Sequence, residues 1–148
     1  MTIIELDDIP PVELEIMNET HRDEVALVNA IGDLVKSIQL DTTDNICDNQ
    51  VIQQAVTKKL SQWLEHTRQH FSREEKMMEE HDFHAYSIHS WAHQDALVKL
   101  EGVIKEWRES HDLEALSNYL FSEWPAWFQQ HVMTMDYMTA LYLNMRMQ

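Results

Sequence analysis

At 148 residues the chain is long enough for one domain with a substantial core, and 26 acidic against 11 basic residues give it a formal net charge of -15. That charge argues against nucleic acid and anionic membranes as partners and fits a solvated acidic surface. Two glycines and three prolines are too few for the turns of a sheet protein, so a few long helices with short connections are expected. The single cysteine, Cys47, can form no internal disulfide. It fits a reducing compartment and excludes a site built from several thiolates. The opening stretch, Met1 onward, has no basic region followed by an apolar run, so a cytoplasmic protein without a membrane span is expected.

Residues 1–14 read as an extended N-terminal arm, because Pro10 and Pro11 oppose a helix there. A first helix is expected from Glu15 to Gln39, with Met17, Val28, Ile31, Val35 and Ile38 on one face. Continuing that spacing brings His21 and Glu24 onto the same inward face. Leu40 to Asn49, rich in Asp, Thr and Asn, reads as a loop. A second helix is expected from Gln50 to Glu80, its seam running Ile52, Val56, Leu60, Trp63, Thr67, His70, Glu74 and Met77. A connection over 80–85 leads to a third helix, Tyr86 to Ser110, with His89, His93, Ala96, Leu100, Val103 and Trp107 on one stripe. Asp112 is placed to cap a fourth segment reaching Asn144, which Pro125 should kink or split. Its seam is Leu116, Leu120, Trp127, His131, Met138 and Leu141. Together these make an all-α fold, a single domain over 1–148. Residues 15–144 form an antiparallel up-down-up-down four-helix bundle.

Nine histidines is a high number for this length, and a buried imidazole needs partners. His70 and Glu74 are four apart, as are His89 and His93, so each pair shares a helix face. In an antiparallel bundle His21, His70, Glu74, His89, His93, His131 and Asp136 all fall near one end, in a single layer at about 1.5 Å rise per residue. Five imidazoles and two carboxylates without thiolates suit a borderline-hard metal such as iron, and seven ligands exceed one tetrahedral zinc site. A two-metal centre with bridging carboxylates fits better, and one further bridging oxygen would leave one metal a ligand short of six. Asp136 is the awkward member. Five residues after His131 is about 140° round an α-helix, so it must reach in from a flank or the helix must deform. His66, His81, His84 and His111 fall off the seams or in loops, with His66 one turn from His70. The acidic runs Glu5 to Asp8 and Glu79 to Asp82 read as solvated.

The pattern H-F-x-x-E-E-x-x-M at His70 to Met78, with HxxxH at His89 and His93, HxxxxD at His131 and Asp136, and a single upstream histidine at His21, resembles the hemerythrin family over about 15–144. The resemblance implies two iron ions with a bridging oxo or hydroxo group. His89, His93 and His131 would hold one iron and His21 and His70 the other, with Glu74 and Asp136 bridging. It further implies reversible binding of dioxygen for storage, delivery or sensing, without enzymatic activity. The alternative is a di-iron enzyme or sensor reacting with oxygen, peroxide or nitric oxide. Ferritin-like oxidases use Glu-x-x-His on two helices, and that motif is absent here. Family members often carry an aliphatic residue where this chain has Glu24. That carboxylate could ligate the open iron, exchange protons, or turn outward while Val25 packs in its place.

Overall fold

The computed structural model describes residues 3–40 and 46–147, with residues 40 and 46–48 described by their backbone alone. Residues 41–45 of the loop expected at 40–49 therefore lie outside the described residues, as does the side chain of Cys47. The helices are α1 (Glu15–Leu40), α2 (Ile46–Glu80) and α3 (Tyr86–Ser110), followed by a fourth rod. That rod comprises α4 (Leu113–Asn118), a π turn (Tyr119–Glu123), α5 (Trp124–His131), a second π turn (Val132–Asp136) and α6 (Tyr137–Arg146). No strand occurs among the described residues. Neighbouring helices pack in order, and the fourth rod closes the ring by packing on α1. This is the expected all-α four-helix bundle.

The expected seams are buried with small departures. Met17, Val28, Ile31 and Val35 of α1 are inside, as are Val56, Leu60 and Trp63 of α2 and Leu100 and Trp107 of α3. Burying a side chain of this size contributes roughly 1.5–3 kcal/mol relative to exposure. On α2, Met78 rather than Met77 is buried, being four residues past Glu74, and α2 starts at Ile46, four residues before the expected Gln50. On α3, Ile104 is buried and Val103 only half so.

The fourth rod departs more. Met138 is 55% exposed, not inward, while Thr139, Ala140 and Leu143 are buried. The cause is the π turn at Val132–Asp136, which holds one residue more than an α turn and advances every later residue by one place on the helix surface. Pro125 does not split the rod. It lies in the first turn of α5, directly after the other π turn, and Glu123 and Trp124 on its N-terminal side keep right-handed helical dihedrals. The widened turn accommodates the missing N–H and the ring.

Short caps set the antiparallel order. Asp82 takes the left-handed conformation (φ 52°) that ends α2, and Phe83 N–H donates to the Met78 carbonyl across the turn at 2.9 Å. His111 (φ 53°) ends α3 in the same way, and the Asp112 carboxylate accepts from the N–H groups of Glu114 and Ala115, as expected of a cap. The arm contains a short 3-10 turn (Leu6–Asp8) and is docked on the bundle rather than loose. The Asn29 amide bonds the backbone of Ile3 and Ile4, and the Asn18 amide bonds both backbone groups of Val12. Ile3 lies over Gly32, where an added Cβ would come within 2.6 Å of its Cδ1.

Candidate metal centre

Each helix delivers part of one buried cluster. His21 comes from α1, His70 and Glu74 from α2, His89 and His93 from α3, His131 from the end of α5 and Asp136 from the following π turn. None of the seven is more than 5% exposed. The π turn is what brings Asp136 under His131. In a π turn, residues five apart share a face, so the carboxylate enters the core directly and needs no reach from a flank.

The ligand-type atoms converge in two groups. One atom each from His89, His93, His131 and Asp136 lies within 4.8 Å of the others, and one each from His21, His70, Glu74 and Asp136 does likewise. Asp136 belongs to both. Its Oδ2 is 2.9 Å from His21 Nε2, and its Oδ1 is 3.1 Å from Nε2 of both His89 and His131. Glu74 also spans the groups, with Oε2 2.5 Å from His70 Nε2 and Oε1 3.5 Å from His93 Nε2.

These groups satisfy one another only in part: His21 pairs with Asp136 and His70 with Glu74. Glu74 Oε1, Asp136 Oδ1, His93 Nε2, and Nδ1 of His21 and His70 are buried without a hydrogen-bond partner, five of the six such atoms among the described residues. His89 Nε2 and His131 Nε2 approach to 3.2 Å. Leaving a buried polar atom unpaired costs about 1–3 kcal/mol, so a cluster of them is destabilising unless something binds. Five imidazole nitrogens and two carboxylates are a donor set for a borderline-hard cation, and the residues fit such an occupant.

Outer partners fix the ring orientations. Thr139 Oγ1 is 2.8 Å from His89 Nδ1, and Glu75 Oε2 is 3.4 Å from His93 Nδ1. The Glu75 carboxylate can only accept, so it puts the proton on His93 Nδ1 and leaves Nε2 as a lone pair facing the cluster, and the Thr139 hydroxyl is placed to do the same for His89 by accepting. Ser90 donates to the other Glu75 oxygen at 2.5 Å. Phe71 stacks flat on His93 and Trp127 on His131. Reading the sequence as a regular helix misses Thr139, because it places Met138 on the seam instead. Glu75 could have been found, since it follows Glu74 directly in the E-E pair.

Burial pushes His70 down, but the charge and hydrogen bond of Glu74, with Glu24 and Asp136 beyond, outweigh it and raise His70 to about 9. Burial and Asp136 push Glu74 up, yet His70 and His93 bring it down to about 2. For Asp136 burial is again opposed, here by His131, His21 and His89, which hold the carboxyl well below its ordinary range. Burial lowers His89.

Glu24 is inward, correcting the outward alternative, and Val25 beside it is buried too. The Glu24 carboxylate belongs to neither ligand group among the described residues. It is bound instead by α2, taking Trp63 Nε1–H and the Thr67 hydroxyl on Oε1, both at 3.0 Å, with His66 Nδ1 2.5 Å from Oε2. His66 thus joins the buried network, while His84 and His111 are exposed and His81 lies half-buried in the turn. A cavity of about 20 Å³ is lined by Glu24, His70 and His131 and otherwise mainly by Phe71, Trp127 and Phe128. That volume holds about one water-sized molecule.

No described helix is long and apolar enough to cross a membrane. No protein-family profile matches the chain, and no solved structure does. Two curated relatives do. A Bacteriohemerythrin of Aquifex aeolicus (strain VF5) is 24% identical over 128 residues, 86% of this chain and 88% of the relative. A Bacteriohemerythrin of Ralstonia nicotianae (strain ATCC BAA-1114 / GMI1000) is 34% identical over 87 residues, 59% of this chain and 62% of the relative. With a helical bundle enclosing a buried histidine–carboxylate cluster, this likeness supports the resemblance of the chain to the hemerythrin-like family.

Proposed function

We propose that His21, His70, Glu74, His89, His93, His131 and Asp136 hold two iron ions, and that the protein binds dioxygen reversibly for storage, delivery or sensing. The observation that carries this reading is the pair of four-residue ligand groups sharing Asp136, both buried and both containing unsatisfied atoms. His89, His93 and His131 would hold one ion and His21 and His70 the other, with Glu74 and Asp136 as the carboxylates between the two groups. When bound, a pair of irons supplies two redox-active ions and an open coordination position for a small ligand. The absence of thiolate supports iron over softer metals, and the relatives' name supports the same choice.

The chain's own residues prepare that position. Thr139 and Glu75 fix the tautomers of His89 and His93. Phe71 and Trp127 hold two ligand rings by stacking and keep bulk water from the cluster. The cavity beside His70 and His131 admits one small molecule. A second reading, a di-iron enzyme or sensor acting on oxygen, peroxide or nitric oxide, is favoured by one observation: a carboxylate, Glu24, lines that cavity. The test is iron content per chain, with visible spectra recorded anaerobically, in air and after deoxygenation. Two irons and a reversible oxygenated band are expected. Rapid irreversible oxidation selects the second reading, and zinc or no metal overturns both.

A further inference from the structure

We propose that Glu24 is the specificity-determining residue of the cavity beside His70 and His131: an anionic wall, fixed by Trp63, His66 and Thr67, that admits a neutral water-sized molecule and turns away small anions. The inference rests on the metal reading above and concerns what reaches the metal.

Glu24 is the only carboxylate lining the cavity among the described residues. The surrounding wall includes Phe71, Leu100, Trp124, Trp127 and Phe128, an apolar setting in which a charge is weakly screened and acts strongly on its neighbours. The carboxylate is not free to leave. Its three partners lie within 63–67 of α2, so one turn of a neighbouring helix grips both oxygens. Trp63 and Thr67 are buried, and only His66 among the three is partly open to solvent. The Thr67 hydroxyl divides its single proton between Glu24 and the Trp63 carbonyl, 2.8 Å away. Burial pushes the Glu24 carboxyl up, but the hydrogen bond from His66, the charges of His70 and His66, and the Trp63 N–H outweigh it and keep the group below its ordinary value. The cavity thus has the size for one small molecule, a single carboxylate in its wall, and a mechanical reason for that carboxylate to stay put rather than ligate.

A small anion entering this space meets a negative charge in a poorly screened site, whereas a neutral diatomic does not. A carboxylate serving only to tie α1 to α2 would not separate the two. Iron-loaded wild type and Glu24→Gln are titrated with azide in the oxidised form and with nitric oxide in the reduced, anaerobic form, both followed by visible absorption. The amide keeps the size of Glu24. It can still accept from Trp63 and Thr67 and can donate to His66. Glu24→Gln is expected to bind azide about tenfold more tightly or better, while nitric oxide affinity changes by less than about threefold. Glu24→Leu, which removes the charge by a different side chain, is expected to give the same gain and serves if the amide variant does not fold. Equal azide affinity in iron-replete proteins overturns the proposal alone, as does a parallel gain for both ligands, which would report a wider cavity. A wild-type protein that holds no iron overturns the metal reading and the proposal with it.

Discussion

Loading metal into the stripped protein is expected to raise its thermal unfolding midpoint by about 6–12 °C. The magnitude comes from the three buried atoms that face the cluster without a hydrogen-bond partner, Glu74 Oε1, Asp136 Oδ1 and His93 Nε2. Each costs about 1–3 kcal/mol when unpaired, and the low end of that range amounts to roughly 3 kcal/mol. In a domain of this size, 1 kcal/mol moves the midpoint by about 2–4 °C. Binding to the folded state alone is what delivers this stabilisation, so the shift grows with free metal concentration. The assay is calorimetry or circular dichroism on chelator-treated protein, before and after anaerobic addition of ferrous iron. Asp136→Asn is the control. Asp136 belongs to both ligand groups, so this variant should lose most of the gain rather than half. A wild-type shift below about 2 °C at saturating iron would refute the reasoning, as would an Asp136→Asn protein that gains as much as wild type.

Other outcomes can be checked separately. In the metal-free protein, His70 is raised to about 9, so its contribution to stability is complete below its ordinary value of 6.5 and lost as pH climbs through about 9. Glu74 is lowered to about 2, so its contribution is present above 4.5 and lost as pH falls through about 2. Urea denaturation of the metal-free protein across pH should therefore show greatest stability between these limits, and a stability still rising from pH 7 to 9 would contradict it. Thr139→Val removes the partner of His89 Nδ1 without changing volume, and should weaken metal affinity by roughly 10–100-fold in a chelator competition while leaving the fold intact. Deleting Met133, exposed in the second π turn, should convert that turn to ordinary α-helix for a cost under about 2 kcal/mol, because the later residues keep their faces. Deleting the equally exposed Met138 should cost more than about 4 kcal/mol, since it rotates Ala140 and Leu143 out of the core. Equal costs for the two deletions in a denaturation assay would rule out the register explanation.

Much of the site was legible because helical spacing is a local property. Residues three and four apart share a face whatever surrounds them, so Met17, His21, Glu24, Val28, Ile31 and Val35 could be read as one stripe and are found buried. The same holds for His70 with Glu74 and His89 with His93. Short connections then force antiparallel order, which puts ligands from four helices at one depth. The resemblance to hemerythrin rested on this spacing and order, and the curated relatives bear it out.

What spacing could not decide was any feature set by contacts between helices. The interval of five between His131 and Asp136 announced a conflict with a regular α-helix but not its resolution. Only packing selects the π turn, because it alone buries Asp136 beneath His21, His89 and His131 and also turns Ala140 and Leu143 to the core. Thr139 became visible as a partner of His89 only after that shift. Glu24 is the plainest case. Its inward position follows from sequence, but whether it ligates, turns away or lines a cavity depends on Trp63, His66 and Thr67, about forty residues further along the chain. Sequence determined which residues could meet, because periodicity along a helix fixes faces. The tertiary structure decided which of them share hydrogen bonds, because a buried polar group takes the partners that the neighbouring helix offers.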